Sequence, residues 1–196
     1  MPAQALLFDP PRGVLIVSGA AAPEEWVSHL PEDVPEAERL RVATSMAQEA
    51  AGTDATVVLV WPEGVAPFGL WIQITSISNI RLARDFVRGD ADGWIGPLQA
   101  ALIGQGLEWF SPATDEDAAS RWSAVFADDD LFVHPTLSAP SFSDLVMRRS
   151  FVESMVLPSL VIAEGSELWR SDPALASDVI VAKESWPQLA GAEATA

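Results

Sequence analysis

Short apolar runs separated by proline and glycine recur along the chain, and three pairs of them read as hairpins. Ala5-Leu6-Leu7-Phe8 and Val14-Leu15-Ile16-Val17-Ser18 flank Asp9-Pro10-Pro11-Arg12-Gly13, whose prolines and glycine suit a turn. Residues 56–61 and 68–75 flank a loop containing Pro62, Gly64 and Pro67. Residues 160–163 and 166–169 flank Glu164-Gly165, and 179–182 read as an added edge strand. Each pair predicts antiparallel neighbours.

Helical spacing appears between these runs. In 34–51, Leu40, Ala43, Met46, Ala47 and Ala50 form one stripe, Asp33 and Glu36 resemble a capping pair, and Gly52 ends the segment. Ile80, Ala83, Phe86 and Val87 share a side of 79–87, and Leu98, Ala101 and Leu102 share a side of 97–104. A helix starting at Thr114, with Asp117 three residues on, would present Ala118, Trp122, Val125 and Phe126 on one face. Another runs from Ser141 or Ser143 to Leu157, where Pro158 stops it. Together these elements predict an α+β fold: a mainly antiparallel, mixed sheet built from hairpins, with about four to five helices over one face. The Pro-rich stretches near Ser111-Pro112 and from His134-Pro135 to Pro140 would be where two lobes part. Neither side closes a core of its own, so residues 1–190 read as one domain and 191–196 as a frayed tail.

The helix ending at Leu157 breaks its own pattern. Phe142, Leu145, Val146, Val152 and Val156 make an apolar face at about 100° per residue, yet Arg149 falls near its centre and Glu153 one turn later. A buried ionised pair costs several kcal/mol per charge unless matched and hydrogen-bonded. Three readings follow: the two pair with each other or with a sheet residue, the face borders a solvated pocket, or Arg149 holds an anionic ligand.

The segment from Arg88 to Gln99 resembles a calcium loop of the EF-hand family, with Asp90, Asp92, Gly93 and Ile95 at its third, fifth, sixth and eighth positions. It departs where the ligands matter most. Arg88 stands at the first acidic position, Gln99 replaces the bidentate glutamate, and Pro97 disturbs the exit. The segment therefore reads as a polar turn capped by Asp90 or Asp92, and no metal or other cofactor is assigned.

Composition narrows the chemistry. The chain of 196 residues has no cysteine, which removes disulfides, thiolate nucleophiles and Cys-based zinc sites. His29 and His134 are its only histidines. No Gly-x-Ser-x-Gly elbow occurs, Ile180 precludes Ser-x-x-Lys at Lys183, and Ala182 precludes a phosphate loop there. The first residues lack a basic signal region, and no run of about 18 apolar residues occurs, so a cytoplasmic protein without a membrane anchor is expected.

The net charge of -17 comes from 28 acids against 11 bases and repels phosphate backbones, so nucleic-acid binding is not expected. The same charge attracts a basic protein. Eight tryptophans accompany no tyrosine; Trp61 and Trp71 flank one hairpin, and Asp128-Asp129-Asp130 supplies acid, the pairing of aromatic and carboxylate that such a partner would meet. The leading expectation is a non-catalytic protein-binding role, as adaptor, chaperone or immunity-type protein. The alternative is a small enzyme or ligand-binding domain in which Arg149 holds an anion beside Glu153 or His134.

Overall fold

Val57, Val58, Leu59 and Val60 are all fully buried, so the strand that carries them is covered on both faces, and this sets the layering. The computed structural model describes residues 3–17, 27–90, 95–113 and 119–177. In chain order these form β1 (Gln4–Leu7), β2 (Val14–Val17), α1 (Glu36–Ala51), β3 (Thr56–Val60), β4 (Phe68–Ser76), α2 (Ile80–Asp90), β5 (Ile95–Ala100), β6 (Gly104–Ser111), β7 (Ser120–Ala127), β8 (Leu131–Ala139), α3 (Phe142–Phe151), β9 (Leu160–Glu164), β10 (Glu167–Trp169) and α4 (Ala174–Ser177). A 3-10 turn at Val27–His29 precedes α1, and α3 runs on as a π-helical segment, Val152–Val156.

Seven strands form one antiparallel sheet in the order β2-β3-β4-β8-β7-β6-β5, and a second sheet has the order β1-β9-β10. Among the described residues strand exceeds helix, 39 % against 30 %, so the fold is sheet-dominated and the expected helix-covered mixed sheet is corrected. Nor do the helices share a face. α1, α2 and α4 pack on one side of the large sheet, while α3 and the small sheet pack on the other.

Two expected helices are strands. β5 occupies much of 97–104, and β7 takes the stretch that was to continue the helix from Thr114; residues 114–118 lie outside the described residues. β7 is covered on both faces, so Trp122 through Ala127 are all buried. Coverage on both faces removes the polar alternation that marks a strand and leaves apolar residues at a spacing that mimics a helix. The stretch around Pro135 is also a strand, β8, in the middle of the sheet. There β7 pairs with β8 at Ser123↔Thr136 and again at Phe126↔Val133, but not at the two positions between. Proline has no N–H to give a ladder, which accounts for a break beside Pro135.

The hairpins fare differently. β3 with β4 and β9 with β10 pair as their sequences predict. β1 and β2 form but do not pair; β1 adds to β9 and β2 to β3. Gly13 lies between them at φ 84°, where a Cβ would come within 2.2 Å of the Trp61 carbonyl oxygen. Its N–H donates to His29 O, and its carbonyl accepts from Trp61 N. The chain thus passes from one sheet to the other. The edge strand expected at 179–182 and the tail at 191–196 lie outside the described residues.

The π-helical turn carries Glu153, and α3 seats Arg149 on the sheet. Arg149 donates through Nε (3.0 Å) and Nη2 (2.7 Å) to the two oxygens of Glu108, and through Nη1 to Glu153. Glu108, on β6 and 1 % exposed, also accepts from Trp122 Nε1 at 2.7 Å. Of the three readings of Arg149, pairing with a sheet residue describes its surroundings. Removing one partner strands a buried charge, so Glu108→Leu or Arg149→Met alone is expected to lose about 3–5 kcal/mol of stability in urea denaturation. The double variant is expected to regain most of that loss; single variants within about 1 kcal/mol of the parent would show that the pair does not hold α3 in place.

Candidate functional site

The helical face of the large sheet is covered by two separate apolar clusters. One lies under α1 and includes Val57, Leu59, Trp61 and Met46; the other lies under α2 and α4 and includes Leu107, Trp109, Val125 and Phe132. Between them the sheet is polar. Cα partners Trp71↔Thr136, Gln73↔His134 and Ser123↔Thr136 place these side chains on one face, in the middle of the sheet.

A cavity of about 500 Å³ opens there, with Trp71 and Gln73 of β4, His134 and Thr136 of β8 and Arg121 of β7 in its walls. The chain leaving α1, from Gly52 to Ala55, forms the opposite rim and contributes Asp54. The volume falls within the range of small-molecule sites, roughly 300–1,000 Å³.

His134 is held by aromatic rings. It stacks on Trp109 with ring centroids 5.9 Å apart and planes 9° apart, and Phe86 meets it edge-on at 5.0 Å. Trp109 is itself fixed by its Nε1–H, which donates to Asp90 at 3.0 Å. Burial pushes the His134 pKa down from 6.5 to about 4; the Asp90 carboxylate works against this and the Arg121 cation adds to it. The imidazole is therefore neutral near pH 7. Its Nε2 and the Nε of Arg121 are both buried, and neither has a hydrogen-bond partner among the described residues. Buried polar atoms are ordinarily paired, and these two belong to residues that line the cavity.

The other candidates lie elsewhere. Arg149 and Glu153 are on the opposite side of the sheet in the pairing already described, so His134 and Arg149 do not share a site. Trp61 is buried under α1, whereas Trp71 is half-buried and lines the cavity; the two do not form an exposed patch. Asp128, Asp129 and Asp130 form the β7–β8 turn. Asp128 accepts from the backbone N–H of Asp130 and Leu131 and from Trp169 Nε1 in the small sheet, and Asp129 accepts from Ile80 N at the start of α2. Asp130 is exposed. The EF-hand-like segment does not form a loop between helices: Asp90 ends α2, Ile95 begins β5, and residues 91–94 lie outside the described residues.

Sequence reasoning singled out His134 but missed Arg121, Gln73, Thr136 and Asp54. Gln73 had a signal, because it shares the parity of Trp71 in a strand that was read correctly. Arg121 had none, since it sat inside a segment read as a helix. Among the described residues no three His, Asp or Glu side chains come together as a metal site, and no helix is long and apolar enough to cross a membrane.

Comparisons with protein families, curated proteins and solved structures give no significant match.

The lowered pKa of His134 links stability to pH. The unfolded imidazole binds a proton near pH 6.5 and the folded one only near 4, so the unfolded state holds more protons between these values. Stability is expected to fall as pH drops through this window, by about 2 kcal/mol from pH 7 to 5 and about 3 kcal/mol once the folded pKa is passed. His134→Gln is expected to flatten that loss in urea denaturation across the same pH range. An unchanged pH profile in the variant would assign the loss to other groups.

Proposed function

We propose that this protein binds a small carboxylate ligand in the cavity between α1 and α2, with Arg121 as the anion-holding residue. One observation carries the reading: Arg121 lines a concave site and its Nε has no hydrogen-bond partner among the described residues, in a chain where acids outnumber bases 28 to 11. The planar fork of Arg121 matches a carboxylate, Thr136 and Gln73 add hydroxyl and amide groups, and the neutral His134 offers a hydrogen bond without charge.

The same residues favour binding over catalysis. An efficient general base has a pKa near the working pH, and a histidine held at about 4 is a weak one. Among the described residues no hydroxyl is hydrogen-bonded to His134 Nε2.

A second reading, protein binding, draws on the outer face of the small sheet. Leu6, Phe8 and Leu168 are 43 %, 71 % and 69 % exposed, and Leu6↔Val161 with Leu168↔Ala163 puts the two leucines on one side. Exposed Glu164 and Glu167 stand at the adjoining hairpin turn, a combination that fits a basic partner.

The ligand reading is tested by titrating acetate, butyrate and succinate against the parent and Arg121→Met, with affinity from calorimetry and folding from circular dichroism. At least one carboxylate is expected to bind, and the variant to bind it at least tenfold more weakly, about 1.4 kcal/mol or more, while staying folded. Equal affinity in the variant, or no response to any carboxylate, would sink the proposal. The second reading expects a partner that co-purifies at low salt, leaves at high salt and is lost in Phe8→Ser/Leu168→Asp.

A further inference from the structure

Among the described residues several opposite charges pair: Arg12 with Glu32, Arg41 with Glu38, Arg81 and Arg88 with Asp85, and Arg149 with Glu108 and Glu153. Arg121 and Asp54 line the same cavity and do not. Asp54 is exposed and makes no ion pair with a described residue.

Their places in the fold explain the gap. Asp54 lies two residues before the start of β3, and Arg121 is on β7, with β4 and β8 between the two strands. Three inter-strand steps of about 4.8 Å separate them across the sheet. Along the strands the two residues lie on opposite sides of the row Val57–Trp71–Thr136–Ser123, Arg121 two residues from it and Asp54 three, so roughly 22 Å lies between the two backbones. An arginine side chain closes part of that distance and an aspartate little of it. Trp71, on the strand next to β3, and Thr136, on β8, lie along the way. The cavity thus has an anion at one rim, a cation at the other, and an indole and a hydroxyl between.

Resting on the carboxylate reading above, we infer that the ligand is a small zwitterion whose ammonium and carboxylate stand several bonds apart, the chemistry of a dipeptide or an ω-amino acid. The carboxylate meets Arg121, the ammonium meets Asp54, and the connecting atoms lie over Trp71. A simple carboxylate uses only half of this arrangement. An α-amino acid, with its charges on neighbouring atoms, is too short to meet both.

The experiment compares glycylglycine and 4-aminobutyrate with N-acetylglycylglycine and butyrate, their partners without an ammonium, by calorimetry at low ionic strength. Parent protein, Asp54→Asn and Arg121→Met are each titrated. At least one zwitterion is expected to bind the parent at least tenfold tighter than its partner. Asp54→Asn is expected to erase that advantage while keeping affinity for the plain carboxylate, and Arg121→Met to weaken both. Equal affinity for zwitterion and plain carboxylate, or an advantage that survives in Asp54→Asn, would overturn the inference and leave the carboxylate reading standing. Absence of binding by every compound would overturn both.

Discussion

A seven-stranded sheet has two faces to hide, and the helices of this chain cover one of them only at its two ends. α1 lies over β2 and β3, whereas α2 and α4 lie over the β5–β8 end. Sheet between two separated covers is open to water, and apolar side chains there would expose surface at about 25 cal/mol per Å². Gln73, His134, Thr136 and Arg121 sit where the covers stop, flanked by Trp71 and Trp109 where they begin. The cavity and its polar lining therefore come from the same incomplete coverage, and a recess that already holds polar groups can recognise a polar ligand without rearranging its core.

The other face is closed, and closing it brought in a charge. α3 and the small sheet bury Leu145, Val152 and Val156 against β7 and β8, and Arg149 goes down with them. Two-point pairing with Glu108, plus the Trp122 indole N–H on the same carboxylate, satisfies what would otherwise be an uncompensated buried ion. The π-helical turn after Phe151 carries Glu153 to the same guanidinium. The two notable arginines thus separate by their surroundings. Arg149 is met by carboxylates on two sides, whereas Arg121 faces a cavity that supplies none to its Nε.

How much of this was legible depended on how many faces each strand buries. β4 buries Phe68, Leu70 and Ile72 on one face and leaves Gln73, Thr75 and Ser76 exposed, and β9–β10 turns on a glycine, so both hairpins could be read. α1, α2 and α3 were legible from their stripes. β7 was not: burial from Trp122 through Ala127 erased its alternation, and Trp122, Val125 and Phe126 fell at helical spacing by chance. β8 was hidden by Pro135, a residue that argues against a central strand, and the interrupted β7–β8 ladder is how the sheet accommodates it. These two strands carry Arg121, His134 and Thr136, so the site was obscured by the same burial that hid its strands. Arg149 was legible as an intruder in an apolar face, but its partner Glu108 lies 41 positions earlier in sequence and only the register of β6 brings it there.

An anionic ligand must still approach a protein of net charge -17. The repulsion is long-range and the attraction is not. At physiological salt, charges separated by more than about 8 Å are largely screened, which weakens the field of distant surface carboxylates. The contact with Arg121 is made inside a recess, where less water intervenes and an ion pair is stronger. A second cation would help, yet the imidazole beside it stays neutral until about pH 4 because its aromatic surroundings exclude the charge. One cation in a field of this sign holds a plain carboxylate weakly, and a carboxylate at the rim improves matters only for a ligand that brings its own positive charge. The electrostatics of the whole chain thus favour the same class of molecule as the geometry of its cavity.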